Sequence, residues 1–369
     1  MIKKLIYLTY QTFPANTANS IQTVSMIKYL EKAGMSVELV FPARNKNSSK
    51  DLEKIKKYYD IDQNFTIQML KHNLPFGKIN ILNKVFFHIS HFLWSKYAVN
   101  KILAEGRDSD IFITRSDWVF YFLSRKKRNV TFECHQVSKV RNFVINSVKN
   151  NNNSKIVFTT EKLKEHFAVN NKNIVLSNAY DQDLFTDFIN IKRENKVVFV
   201  GSLLRFEKDR NINFLIESFR DPRLSNITLE IIGGPNNYKD ELIEIVKKLK
   251  MENIRLLGQL SRKETIRNML SAKVGVLINS SDNSHSTLYT SPLKYFEYLG
   301  AELNIIAVDF PSHRSLPESK DIDFFTENDK ESFINACLDS LNTAPRIDGI
   351  RNKYSYEERV NKLLKFIKD

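Results

Sequence analysis

Residues 4–41 read KLIYLTYQTFPANTANSIQTVSMIKYLEKAGMSVELVF, and the change of hydrophobic period within this stretch decides the fold. Leu5, Ile6, Tyr7 and Leu8 form an unbroken apolar run, which predicts a strand over Lys4–Thr9. A polar loop follows over Gln11–Asn19. Ile21, Val24, Ile27 and Leu30 then recur at helical spacing, predicting a helix over Ser20–Lys32. Gly34 stands where a left-handed residue closes a helix, and Ser36–Phe41 is the next strand. Strand, loop, helix and strand in this order open a parallel βαβ unit, whose ligands gather at the strand ends.

The same alternation continues outward. Further strands are expected at Ile111–Thr114, Val130–Glu133, Lys155–Thr159 and Ile174–Leu176. A second series starts with strand Val197–Val200 and Gly201, then a helix over Asn213–Phe219 and strand Thr228–Ile232 with Gly233-Gly234 behind it. Helix Lys239–Lys250, strand Ile254–Leu257, strand Val274–Ile278, helix Leu293–Leu299 and strand Ile305–Val308 follow. Six of the ten glycines fall between Gly201 and Gly300, mostly at expected strand ends, where the backbone turns tightly or meets a ligand. The 369 residues exceed one hydrophobic core, so two α/β domains are expected. The polar segment Asp181–Asn195 separates them: residues 1–183 form the first and 184–354 the second. A last helix over 355–369 packs back on the first.

Charge is distributed unevenly. Residues 1–180 hold 28 Lys+Arg and 13 Asp+Glu, a surplus of 15, whereas the remainder holds 28 and 29. Such a field attracts an anionic partner, and nucleic acid and an anionic membrane face are both candidates. Cys134 and Cys337 make neither a disulfide framework nor a metal-ligand spacing, which fits a reducing compartment. The basic and apolar start Met1–Leu8 is too short for a signal h-region, and no run approaches a membrane span. A cytoplasmic protein is expected, with the inner membrane face as a possible station.

Three motifs carry chemistry. Ser291-Pro292-Leu293-Lys294-Tyr295-Phe296-Glu297-Tyr298-Leu299-Gly300 opens a helix at Pro292, whose free N–H groups suit a diphosphate, with Glu297 further in. Val200-Gly201-Ser202-Leu203-Leu204-Arg205-Phe206-Glu207-Lys208 places a cation on the loop behind a strand. Val130-Thr131-Phe132-Glu133-Cys134-His135 brings a strand to a histidine, a group able to donate or accept near neutral pH. A solvated lysine, an amphipathic helix and a structural histidine are the bland readings of the same residues.

Together these motifs resemble the retaining glycosyltransferase family 4 enzymes of the GT-B fold, two Rossmann-like domains facing each other across a cleft. The resemblance implies that Glu297 accepts hydrogen bonds from the donor ribose and that Lys208 steadies the leaving diphosphate. It implies that His135 serves the acceptor side, and that these three form the catalytic set. Gly201, Ser202, Arg205, Gly233, Leu260, Thr290, Ser291, Pro292 and Leu293 would line the donor, and Ala18, Asn19 and Ser20 the first loop near the acceptor. Departures exist. Tyr289 replaces the first glutamate of the family's E-x7-E pattern, Ser202 an arginine and Asp209 a glycine, with Arg205 a candidate to supply the guanidinium.

The implied reaction moves a hexose-type sugar from a nucleotide-diphosphate donor, UDP ahead of GDP. The acceptor would be a hydroxyl of a lipid-linked or cell-surface polysaccharide or glycolipid precursor, in a bacterial setting. Configuration would be retained, with no metal or other cofactor. Asp321-Ile322-Asp323 has a metal-binding spacing but sits in a presumed late loop. The segment Leu74–Leu103 mixes Phe76, Ile79, Ile81, Leu82, Phe86, Phe92, Trp94 and Tyr97 with Lys78, Lys84, Lys96 and Lys101. It suits an anionic membrane surface, or equally a core-packed helix pair. Arg125-Lys126-Lys127-Arg128 reads as a solvated turn. The alternatives are a nucleotide-binding partner subunit without turnover, and a basic nucleic-acid-binding protein, for which the chain offers no named motif.

Overall fold

The computed structural model describes residues 4–44, 46–72, 74, 83–107, 110–186, 188, 191–205, 207–282, 284–346 and 351–368, apart from the side chains at 83, 84, 205 and 351. The chain divides into two compact units, Met1–Leu176 with Arg359–Asp369, and Ser177–Glu358.

The first unit is built on seven strands: β1 (Leu5–Leu8), β2 (Val37–Pro42), β3 (Thr66–Leu70), β4 (Ile111–Thr114), β5 (Val130–Cys134), β6 (Ser154–Phe158) and β7 (Asn173–Val175). Their order is β3-β2-β1-β4-β5-β6-β7, parallel throughout. The helices are α1 (Ala18–Lys32), α2 (Leu52–Tyr59), α3 (Asn83–Ala104), α4 (Asp117–Arg125), α5 (Lys139–Val148) and α6 (Glu161–Phe167). β1, β2 and β5 are buried at every position; β1 is therefore an unbroken apolar run, while β2 and β5 bury Glu38, Thr131 and Glu133 among their apolar residues. β3 is not visible in the apolar pattern, because its Thr66, Ile67, Gln68 and Met69 are exposed or half-buried at the sheet edge.

In the second unit the strands are β8 (Lys196–Val200), β9 (Leu204–Arg205), β10 (Lys208–Asp209), β11 (Thr228–Ile232), β12 (Ile254–Gly258), β13 (Val274–Leu277), β14 (Asn304–Val308) and β15 (Ile322–Phe325). Six of them form a parallel sheet ordered β12-β11-β8-β13-β14-β15, and β9 and β10 make a separate antiparallel hairpin. Helices α7 (Asp183–Thr186), α8 (Ile212–Ser218), α9 (Asn236–Lys248), α10 (Arg262–Leu270), α11 (Leu293–Gly300), α12 (Pro311–Arg314) and α13 (Lys330–Asn342) pack on it. Two apolar clusters cover the sheet, one around Phe199, Leu215, Leu229 and Phe333, the other around Val198, Met269, Phe296 and Ile305. Both sheets thus grow outward from their first strand in both directions, the doubly wound order whose switch point lies beside that strand.

The last helix, α14 (Tyr356–Lys368), starts in the second unit and ends in the first. Within the first unit, Arg359 Nη2 donates to Glu133 Oε1 at 2.8 Å, and Lys155 Nζ donates to the carbonyls of Phe366 (3.1 Å) and Ile367 (2.7 Å). The C-terminal helix is therefore an integral part of the first domain.

Two expectations are corrected. α1 begins at Ala18, because Thr17 caps it by accepting from Ser20 N at 3.2 Å, so Ala18, Asn19 and Ser20 form its first turn and not a loop. Asp323 belongs to β15, where Arg346 pairs with it at 2.7 Å and Ser340 Oγ donates to it. Gly275 lies inside β13, in the strand expected there, and a Cβ on it would come within 2.6 Å of the Tyr298 ring, so this glycine serves packing. Phe76, Lys78, Ile79, Ile81, Leu82 and the Lys84 side chain, expected to face a membrane or pack in a helix pair, lie outside the described residues.

Candidate functional site

In the second unit the C-terminal ends of β8, β11 and β12 are laced together through backbone. Gly201 N donates to Ile232 O at 2.9 Å, Gly233 N to Gly258 O at 2.8 Å and Leu203 N to Gly234 O at 2.8 Å. A Cβ on Gly233 would lie 1.7 Å from Gly201 O, so only glycine permits this approach. The result is a strand-end edge lined by bare backbone. Leu260, half-buried beyond β12, packs against the apolar cluster under α11.

Behind this edge projects the β9–β10 hairpin. It carries Lys208, whose side chain is 74% exposed and pairs at 3.7 Å with Asp282, itself 61% exposed. The Arg205 side chain lies outside the described residues. A different guanidinium stands at the strand ends: Arg210 donates to Ser202 O (3.4 Å), Ile278 O (3.5 Å) and Asn279 Oδ1. A Cβ on Gly201 would meet its Nη1 at 3.5 Å. Ser202 Oγ is used locally, donating to Leu204 O at 2.6 Å. Asp209, where the resemblance expects glycine, accepts from the backbone of Ile212 (3.0 Å) and Asn213 (3.3 Å) and so caps α8.

Thr290 is extended and Pro292 is the residue before α11, so Leu293 and not Pro292 takes the first helical position. No side chain caps this helix start. Its first-turn amides are the kind of positive terminus that holds anionic oxygens. Asn178 Nδ2 fixes the approach by donating to Ser291 O at 2.6 Å. Tyr289 closes a π-helical turn over His285–Tyr289.

Glu297 lies one turn into α11 and is 4% exposed. Arg262 Nη1 donates to its Oε1 at 2.6 Å, and Lys294 Nζ donates to its Oε2. Burial by itself would raise its pKa, but Arg262 and Lys294 outweigh that and bring it down to about 2. Burial lowers the Lys294 pKa, as does the adjacent Arg262. Glu297 is thus an ionised carboxylate with a cation on each oxygen, wired to α10 as well as available at its remaining lone pairs.

In the first unit His135 follows β5 directly and is half-buried. Cys134 before it is fully buried, and burial pushes its thiol up to about 12, so it is inert core. Glu133 is buried with Tyr7 Oη donating at 2.8 Å and Arg359 at 2.8 Å. Burial opposes its ionisation, yet Arg359, Arg115 and the Tyr7 hydroxyl hold its pKa below the ordinary value. Arg115, just past β4, clamps the first turn of α1 through Asn19 Oδ1 (3.1 Å) and Gln22 Oε1 (2.8 Å). Ser20 Oγ donates to Thr12 O at 3.2 Å. Ala18 and Asn19 remain exposed beside it.

Residues 182–356 match the family Glycosyl transferases group 1. Most of the second unit is thus similar to the group 1 glycosyltransferases. Solved structures align over the whole chain at low identity. A sucrose-phosphate synthase from Thermosynechococcus elongatus has TM-score 0.71 and 13% identity, covering 99% of this chain and 98% of that one. A glycosyltransferase from Rickettsia africae ESF-5 has TM-score 0.66 and 15% identity, with 99% and 98% covered. WaaG, a glycosyltransferase involved in lipopolysaccharide biosynthesis, has TM-score 0.61 and 11% identity, with 99% and 99% covered. The chain therefore has the GT-B fold of two parallel-sheet α/β domains. No curated protein sequence matches it significantly.

Within the second unit the structure gathers Gly201, Ser202, Gly233 and Arg210 at one edge, and Ser291, Leu293, Lys294, Glu297 and Arg262 around α11. Sequence reasoning missed Arg210 and Arg262. Each lies outside the quoted motifs, and each is brought in by a neighbouring element: Arg210 directly behind the hairpin, and Arg262 at the first position of α10.

Proposed function

We propose that the chain is a retaining glycosyltransferase of family 4 type, moving a hexose from a nucleoside diphosphate to an acceptor hydroxyl. The observation that carries this reading is the group 1 glycosyltransferase domain, whose strand-end edge presents bare glycine backbone, a free helix start and cations in one unit. The nucleobase and ribose bind at the ends of β11 and β12 and against Glu297. The diphosphate lies on the α11 amides, with Lys208 and Arg210 supplying positive charge. The acceptor oxygen attacks the anomeric carbon on the face from which the diphosphate departs. The C1–O bond breaks, and the acceptor proton passes to a departing phosphate oxygen. Lys208 sits on an exposed hairpin, so it neutralises charge with little prior commitment to other groups. His135 and the basic surplus of residues 1–180 belong to the acceptor side.

The outward face of α3 supports a lipid-linked acceptor at an anionic membrane. Val85, Phe86, Ile89, Leu93 and Tyr97 are exposed along one stripe with Lys96 and Lys101, while Trp94, Ala98, Val99 and Ile102 pack inward. Among the described residues no helix is long and apolar enough to cross a membrane. The deciding experiment incubates the protein with UDP- and GDP-sugars and lipid-linked acceptors, measuring nucleotide release and the anomeric configuration of the product by NMR. Nucleotide binding without release would assign a non-catalytic partner subunit. Inverted product would overturn the retaining mechanism.

A further inference from the structure

Residues 63–104 contain no Asp or Glu, yet they carry Lys71, Lys78, Lys84, Lys96 and Lys101 and the histidines His72, His88 and His91. The fold delivers part of this acid-free segment to the C-terminal edge of the first sheet. His72 follows β3, Arg44 follows β2 and Tyr10 follows β1, each two residues past the strand, and these three strands are neighbours. α3 adds Ser90 and His91 from the side. Tyr10 Oη bonds His72 Nε2 at 2.7 Å and Ser90 Oγ at 2.9 Å, and Ser90 Oγ lies 3.1 Å from His72 Nε2. The His91 ring stacks on Tyr10 at 4.4 Å. Arg44 lies over the same Tyr10 ring at 4.6 Å and donates to Tyr10 O at 3.2 Å.

The cluster holds unpartnered ring nitrogens. His91 is 6% and Trp94 4% exposed, yet His91 Nε2, Trp94 Nε1 and His72 Nδ1 have no hydrogen-bond partner among the described residues. Such nitrogens in a folded interior ordinarily find acceptors. None of the polar contacts just described involves a carboxylate.

We propose that Arg44, His72 and His91 form an anion subsite in the first domain that receives a phosphate group of the acceptor. The guanidinium fork matches phosphate oxygens, and ring N–H groups complete the ring of donors. The word acceptor rests on the glycosyltransferase reading; the anion site itself does not. The phosphate is borne either by a lipid, whose chain would run along the exposed stripe of α3, or by a sugar or other soluble group.

The test is calorimetric titration of the full chain with inorganic phosphate and with monomeric dihexanoyl phosphatidic acid. The wild type is compared with Arg44→Gln and His72→Gln, and UDP and GDP titrations run in parallel. Phosphate binding weakened at least about tenfold in both variants, with nucleotide binding unchanged, supports the subsite. Binding confined to phosphatidic acid and lost in the variants supports it with a lipid as the source. Equal binding of both probes supports it with a soluble phosphate as the source. If Arg44→Gln fails to fold, His72→Gln carries the comparison alone. Wild-type protein that binds neither probe, or variants that bind both as the wild type does, would overturn the proposal. A phosphate event that persists in the variants and competes with nucleotide belongs to the donor domain and counts as unchanged binding. Absent nucleotide binding would remove the transferase reading and leave the phosphate comparison intact.

Discussion

Replacing Glu297 by Gln tests the charge arrangement at the centre of the donor domain. The carboxylate is buried and holds Arg262 and Lys294. Its pKa of about 2, against an ordinary carboxylate value near 4.5, corresponds to about 3 kcal/mol of differential stabilisation. Removing one partner of a buried pair strands the other charge, a cost in the same range of about 3–5 kcal/mol. Lys294 limits the cost, because burial already lowers its pKa and it can release a proton when Glu297 is neutralised. The expected loss near pH 7.5 is about 3 kcal/mol, or roughly 6–12 °C in Tm for a unit of this size. The sign with pH follows from a depressed carboxylate pKa. Its contribution is complete above the unfolded value near 4.5 and fades as pH falls toward 2, so the gap between wild type and variant narrows below about pH 4.5. Scanning calorimetry or urea melts from pH 4 to 7.5 measure this. A variant within about 2 °C of wild type at pH 7.5 would show that Glu297 is solvated and that the triad does not hold the domain.

Lys208→Ala is expected to leave Tm within about 1 °C, since the side chain is exposed, while lowering kcat for sugar transfer by about 10²–10³. Unchanged turnover in that variant would assign the phosphate charge to Arg210. Gly233→Ala places a methyl 1.7 Å from Gly201 O, and the forced backbone shift is expected to abolish nucleotide binding by calorimetry while the first domain retains its fold. Arg359→Leu leaves the buried Glu133 with the Tyr7 hydroxyl as its hydrogen-bond donor and the more distant Arg115 as its cation, a loss of about 3–5 kcal/mol. Limited proteolysis should then cut near Tyr356 well before it does in the wild type.

How much could be read in advance follows the burial of each element. β1, β2 and β5 are buried at every position and mostly apolar, and their positions follow from the sequence within a residue or two. β3 is an edge strand whose register is set by pairing with β2, as Leu39↔Ile67 and Phe41↔Met69 show, and hydropathy alone does not signal it. β15 similarly mixes Asp323 into its run, and that aspartate is held by Arg346 from a distant segment. The site divides along the same line. Gly201, Gly233, Ser291 and Glu297 lie in contiguous motifs whose local backbone already implies their geometry. Arg210 and Arg262 reach the same edges only because β13 brings Asn279 to one and α10 meets α11 at the other. A cation that acts through a partner 35 or 69 positions away leaves no local spacing to detect. The partner does leave one: a glutamate buried one turn into a helix must have its charge compensated, so Glu297 itself required a cation that its own motif supplies only in Lys294. The second had to come from another element, and Arg262 at the head of α10 is that residue.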